Sequence, residues 1–137
     1  GITSDDFFNT NPPVFDLIFI DGLHHADQVK RDFENSLRYL NDNGFIVIHD
    51  VLPENEEGTK VPRETKQWWG DVYKWAMSVG DYLNINFKTF DIDNGCMVVW
   101  KEPGFTGTGK GMFETYDWES YQRIGRSLMN VTSTVEI

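Results

Sequence analysis

Two short blocks hold the side chains best able to do chemistry: Asp21-Gly22-Leu23-His24-His25 and, after an intervening amphipathic stretch, His49-Asp50. Carboxylates and imidazoles grouped in this way suit three tasks. They can bind a divalent cation, orient a polar substrate, or move a proton near neutral pH, where imidazole titrates. Asp21 is the strongest candidate, and its plainer role would be to shape or cap the turn that an Asp-Gly pair favours. Of His24 and His25 only one can face a given crevice, because adjacent side chains diverge. Asp50 could orient His24, bind a metal, or N-cap the segment after it, and the sequence leaves these open.

For the two blocks to cooperate, elements must bring them together. Phe15-Asp16-Leu17-Ile18-Phe19-Ile20 is short, apolar and followed by Asp21-Gly22, the pattern of a buried parallel strand ending in a turn. From Ala26 to Leu40, Val29, Phe33, Leu37 and Leu40 recur at helical spacing with charged residues on the other faces, which predicts an amphipathic helix. Asn41-Asp42-Asn43-Gly44 reads as its left-handed stop, and Phe45-Ile46-Val47-Ile48 as a second strand. Strand, helix and strand make a right-handed βαβ unit with parallel strands. Both chemical blocks then sit at carboxyl ends of strands, the edge where open parallel sheets bind ligands.

Further along, residues 51–60 read as a mobile, acidic loop over that edge. A second helix is expected from Pro62 to about Val79, with Trp68, Val72, Trp75, Ala76 and Val79 on its core side. Trp69, off that stripe, becomes the candidate for a substrate pocket. Leu83, Ile85 and Phe87 alternate with polar residues, Asp93-Asn94-Gly95 is a hairpin turn, and Cys96 to Trp100 returns as a strand, so the sheet should end in an antiparallel pair. Trp118, Tyr121, Ile124, Gly125 and Leu128 suggest a last helix before an extended tail. Gly104 to Gly111 fits the phosphate-loop pattern GxxxxGK until Gly111 replaces the magnesium-binding Ser or Thr. It also lies late in the chain, so a loop with an exposed Lys110 is the preferred reading. Asn130-Val131-Thr132 matches a glycosylation sequon without other signs of secretion.

Composition excludes several classes. The 137 residues carry 22 Asp plus Glu against 12 Lys plus Arg, a net charge of −10, and residues 1–60 alone hold 12 acids and 4 bases. Without a basic patch, nucleic-acid binding is a poor reading and a cation is the better guest. No apolar run approaches the ~20 residues of a membrane span. A single cysteine, Cys96, rules out an internal disulfide and fits a reducing, cytoplasmic setting, with the thiol expected in the core.

The pair Phe15-Asp16-Leu17-Ile18-Phe19-Ile20-Asp21-Gly22-Leu23-His24 and Asn43-Gly44-Phe45-Ile46-Val47-Ile48-His49-Asp50 resembles the second half of a class I S-adenosylmethionine-dependent methyltransferase. It is similar in particular to small-molecule and sugar O-methyltransferases with an I-D-G-x-H block and a later H-D block. The resemblance covers residues 3 to 101 and implies an α/β, partial Rossmann-like fold: a mixed sheet with two parallel strands and a carboxyl-terminal antiparallel hairpin, helices packed on it, strand order 4-5-7-6 in the parent fold's numbering. It implies residues 1–102 as the carboxyl-terminal half of the methyltransferase-like domain and 103–137 as a Gly-rich loop, terminal helix and tail. By the same resemblance Asp21 and Gly22 contact the cofactor, Asp21 and His24 act in catalysis with His24 the general base, and Asp21, His49 and Asp50 hold a divalent metal. A nitrogen ligand shifts the choice from Mg²⁺ toward Mn²⁺ or Zn²⁺. The acceptor would be a hydroxyl of a small molecule or sugar. The family's Gly-rich cofactor loop has no counterpart before Phe15, so this chain alone should hold S-adenosylmethionine weakly. Missing early strands would also bare the edge of the first strand, and homodimer pairing there would hide it.

Overall fold

The computed structural model describes residues 2–107 and 109–133. In chain order its elements are α1 (Ser4–Asn9), β1 (Phe15–Ile20), α2 (Ala26–Arg38), β2 (Leu40–His49), α3 (Val72–Ala76), β3 (Ile85–Phe90), β4 (Cys96–Lys101), α4 (Trp118–Ser120), α5 (Arg126–Leu128) and β5 (Val131–Thr132). The sheet order is β1-β2-β4-β3-β5. β1 and β2 run parallel, β4 is antiparallel to both β2 and β3, and the short β5 is parallel to β3. This is the expected α/β arrangement with its terminal hairpin, extended by one strand at residues that read as tail.

α2 forms for the reasons its spacing suggests. Ala26, Val29, Phe33 and Leu37 are buried on one side, while Asp27 in the first turn and Arg38 in the last complement the helix dipole. Phe33 is fully buried between Trp75 and Tyr82, with ring centroids 4.9 and 5.0 Å away. Withdrawing such a side chain from water contributes roughly 2–3 kcal/mol. Beneath the helix the sheet offers Ile20, Ile46, Ile48, Met97 and Val99, and Met129 near the carboxyl end joins the same core.

Alternation along the strands leaves the other face bare. Leu17 and Phe19 are 64% and 58% exposed, and Phe45, opposite Leu17 on β2, is 47% exposed. β1 is also a sheet edge. Among the described residues no helix is long and apolar enough to cross a membrane.

The structure corrects several expectations. Asn41 to Gly44 is not a left-handed helix stop, since none of these residues has positive φ. The helix ends at Arg38, and the four residues belong to β2, where the pairing jumps from Phe15 with Leu40 to Leu17 with Phe45. Gly44 permits that bulge, because a Cβ there would come within 2.7 Å of the Asp16 carbonyl oxygen. The helix expected from Pro62 to Val79 shrinks to Val72–Ala76, followed by a 3₁₀ turn at Val79–Asp81. Gly70 at φ +63° breaks the pattern, so the tryptophan spacing is not a helix stripe. The loop after β2 is no loose cover at its start, since Val51, Leu52 and Pro53 are buried and the Tyr121 hydroxyl donates to the Pro53 carbonyl at 3.1 Å. Cys96 is partly exposed, paired across the sheet with His49, and is not sealed in the core. The expected last helix is present as α4, a π turn at Tyr121–Gly125 and α5.

Candidate active site

The parallel pairing of Ile20 with Ile48 brings the chain after β1 beside the end of β2. Asp21 and His24 follow β1, His49 closes β2, and Asp50 turns away at φ +63°. A left-handed conformation is tolerated by Asp, and here it leaves the side chain nearly buried and facing back along the rim. The four groups meet. His24 Nε2 lies 3.0 Å from Asp50 Oδ2 and 3.7 Å from Asp21 Oδ1. His49 Nδ1 lies 3.2 Å from the same Asp50 oxygen and 3.5 Å from Asp21 Oδ1.

Electrostatics follow from that geometry. The His24 pKa is raised, first by its hydrogen bond to Asp50 and against the cost of burial, with Asp21 adding attraction. Burial alone would lower His49, but Asp50, Asp21 and Asp93 together outweigh it and raise its pKa. His49 Nε2 reaches Asp93 Oδ2 at 3.2 Å. Its Nδ1 is buried yet makes no well-aligned hydrogen bond, an orphaned polar atom aimed at two carboxylates.

Neighbouring segments complete the rim. His24 Nδ1 donates to the Trp68 carbonyl at 2.9 Å, and the Trp68 ring lies 5.3 Å from the His24 ring. His25 sets its ring edge-on to Trp68, the centroids 5.9 Å apart. Trp69, expected to line a substrate pocket, is only 1% exposed, packed under Gly58, because the segment is an extended loop in which Trp68 takes the outward position. The amide of Ala26 at the start of α2 is capped by neither Asp21 nor His25; Asp71 Oδ1 accepts it at 2.7 Å. Trp68, Asp71 and Asp93 are contributors that residue spacing does not announce. The Asp93 turn is legible in the sequence, but its return to the site depends on the β3–β4 hairpin register.

Next to Asp21 and Gly22 opens a cleft of about 610 Å³ between α1, β1 and α2, walled by Phe8, Ile18, Phe19 and Leu23. A Cβ placed on Gly22 would meet nothing within 4 Å. Phe105, Gly107, Gly109 and Lys110 of the Gly-rich stretch lie elsewhere, lining a separate cavity with Arg31, Arg38 and Tyr82. The stretch leads into a 3₁₀ turn at Phe113–Thr115 and not into a helix, so the helix amides of a phosphate loop are not supplied; its Thr108 falls outside the described residues.

Comparison with known families adds one finding. Residues 2–51 match a family described as "Methyltransferase domain". The matched stretch runs from α1 through β2 and contains Asp21, His24, His49 and Asp50.

Proposed function

We propose that the chain carries the acceptor side of a methyltransferase that moves a methyl group to a hydroxyl of a small molecule or sugar, with S-adenosylmethionine supplying the electrophilic methyl when bound. The observation that carries this reading is the meeting of Asp21, His24, His49 and Asp50 at the ends of two parallel strands inside the methyltransferase-matched stretch. The open position at Gly22 beside the 610 Å³ cleft fits a bound cofactor. Residues 2–14 form a short helix and its flanks and offer no Gly-rich turn after a strand, so cofactor affinity of this chain alone should be low.

The cluster also fits a divalent cation. Single ligand atoms of Asp21, His24 and Asp50 lie within 4.8 Å of one another, and the orphaned His49 Nδ1 points into the same place. Two carboxylates with imidazole suit Mn²⁺ or Zn²⁺ better than Mg²⁺. Such an ion would supply Lewis acidity toward acceptor oxygens. Asp21, His24 and Asp50 would hold it, and the chain's remaining task is to place the hydroxyl in line with the methyl group. Without a cation, the 3.0 Å contact between His24 and Asp50 makes a second arrangement workable: His24 Nε2 takes the hydroxyl proton and Asp50 stabilises the imidazolium.

Calorimetric titration with Mn²⁺ and Zn²⁺, repeated on Asp21→Ala, separates these arrangements. Saturable binding lost in the variant supports the cation; unchanged binding removes Asp21 from the site. Titration with S-adenosylmethionine should give weak or no heat, and tight binding by this chain would overturn the division of labour proposed above.

A non-catalytic reading is favoured by one observation, the exposed Leu17 and Phe19 on the edge strand β1. In that reading the chain is an interaction module that pairs β1 with a second copy. Light scattering across a concentration series tests it, and a monomer at high concentration would count against it.

A further inference from the structure

Two hollows of opposite charge flank α2. The cleft beside Asp21 is lined by Asp5, Asp21 and Asp32 and, among the described residues, by no Lys or Arg. The other, of about 390 Å³, lies where the later part of α2 faces the Gly-rich stretch, and there Arg31, Arg38 and Lys110 stand against a single acid, Glu34. In a chain of net charge −10, that local excess of positive charge reverses the sign of the guest. The sequence hides the patch, because its bases are scattered at positions 31, 38 and 110. Arg31 is drawn loosely toward Asp5 and Asp27, at 3.7 and 3.8 Å. The Arg38 guanidinium donates to Asn35 and meets no carboxylate, and Lys110 has no hydrogen bond or ion pair among the described residues. Glu34 is engaged by the Tyr82 hydroxyl, which donates to it at 3.1 Å. Both ends of the Gly-rich stretch are held. Asn84 Nδ2 donates to the Gly104 carbonyl at 3.0 Å, and the Met112 amide donates to Asp81 Oδ2 at 3.1 Å. Gly109, at φ +93°, lies so near the chain at Asp81 that a Cβ would fall 2.7 Å from its carbonyl oxygen, which keeps Lys110 on the same cavity as the arginines.

We propose that this cavity binds a small organic phosphate monoester, its head between Arg38 and Lys110 and its apolar body against Phe105 and Leu37. Guanidinium groups match phosphate oxygens in pairs, and an ammonium adds a point charge. Three cations against one acid leave two charges to balance, which a phosphate monoester near −2 does and a carboxylate does not. The volume falls in the range of small-molecule sites, roughly 300–1,000 Å³. Recognition is by side chains, since the stretch feeds no helix whose amides would cradle the phosphate. The site is separate from the candidate active site: α2 begins beside His24 and reaches Arg38 after 13 residues, roughly 18 Å along its axis.

Calorimetric titration of the full chain with phenyl phosphate at physiological salt tests this, whatever becomes of the methyl-transfer reading. Saturable one-to-one binding is expected, weaker with inorganic phosphate, which lacks the ring, and weaker with benzoate, which carries one charge. Arg38→Gln and Lys110→Gln should each weaken phenyl phosphate binding on the order of tenfold. Both side chains are exposed, so neither change should move the urea midpoint appreciably. Lys88→Gln, which removes a base of β3 outside the cavity, should leave the affinity unchanged. No saturable heat with phenyl phosphate, or an equal loss in Lys88→Gln and Lys110→Gln, overturns the site. Benzoate bound as tightly as phenyl phosphate overturns the assignment to a phosphate.

Discussion

The two faces of the sheet differ in what covers them. On one, Ile46, Ile48, Met97 and Val99 are sealed by α2 and by Trp75, and each is fully buried. On the other, Leu17, Phe19 and Phe45 come from the parallel strands β1 and β2, yet they stand open. Parallel strands normally bury both faces, so identical residue types carry unequal energetic weight here. The candidate site lies on the boundary: His49 belongs by alternation to the open face, its ring 6.3 Å from Phe19, while Asp50 is folded under the rim.

The largest expected effect separates the faces directly. Phe33→Ala on the covered side should cost about 3–5 kcal/mol, whereas Phe19→Ser on the open side should stay within about 0.5 kcal/mol, read from urea denaturation midpoints. Equal costs would mean that the open face is covered in solution. Next comes the boundary: under the cation reading, His49→Ala should weaken Mn²⁺ or Zn²⁺ binding on the order of tenfold without comparable loss of stability. Full retention of affinity would leave His49 as a member of the open face only.

A smaller effect depends on pH. Because the folded pKa values of His24 and His49 lie above the unfolded value, their pairing with Asp50 and Asp21 stabilises the metal-free protein fully below pH ~6.5 and is lost as pH rises through the folded pKa values. Asp50→Asn should flatten that dependence in chelator, followed as melting temperature against pH. Cation binding has the opposite slope, strengthening as the imidazoles lose their protons. The smallest effect on folding is expected for Leu17→Lys, within about 0.5 kcal/mol. If copies pair through β1, the same change should abolish the pairing in light scattering, since an edge lysine opposes strand addition.

Much of the site is legible in the sequence because it is local. Asp21, His24, His49 and Asp50 each lie within a few residues of an apolar β-run, and a right-handed βαβ unit brings such ends together whatever the loops do. The Trp68–Asp71 segment is not legible in the same way: its tryptophans keep helical spacing, but the left-handed backbone of Gly70 at φ +63° interrupts any helix through it. Asn41 to Gly44 misleads for a related reason, since residues that favour a left-handed stop are equally at home in a bulge.

By itself the sequence determined the succession from β1 to β4, the net negative charge and the identity of the two acidic rim blocks, since periodicity and turn chemistry act between near neighbours. Only the tertiary structure decided which tryptophan faces outward, that Asp71 caps α2, that Asp93 reaches His49, and that one sheet face stays open. Those contacts join residues far apart in the chain, and their free energy comes from packing and desolvation that exist only once the sheet has assembled.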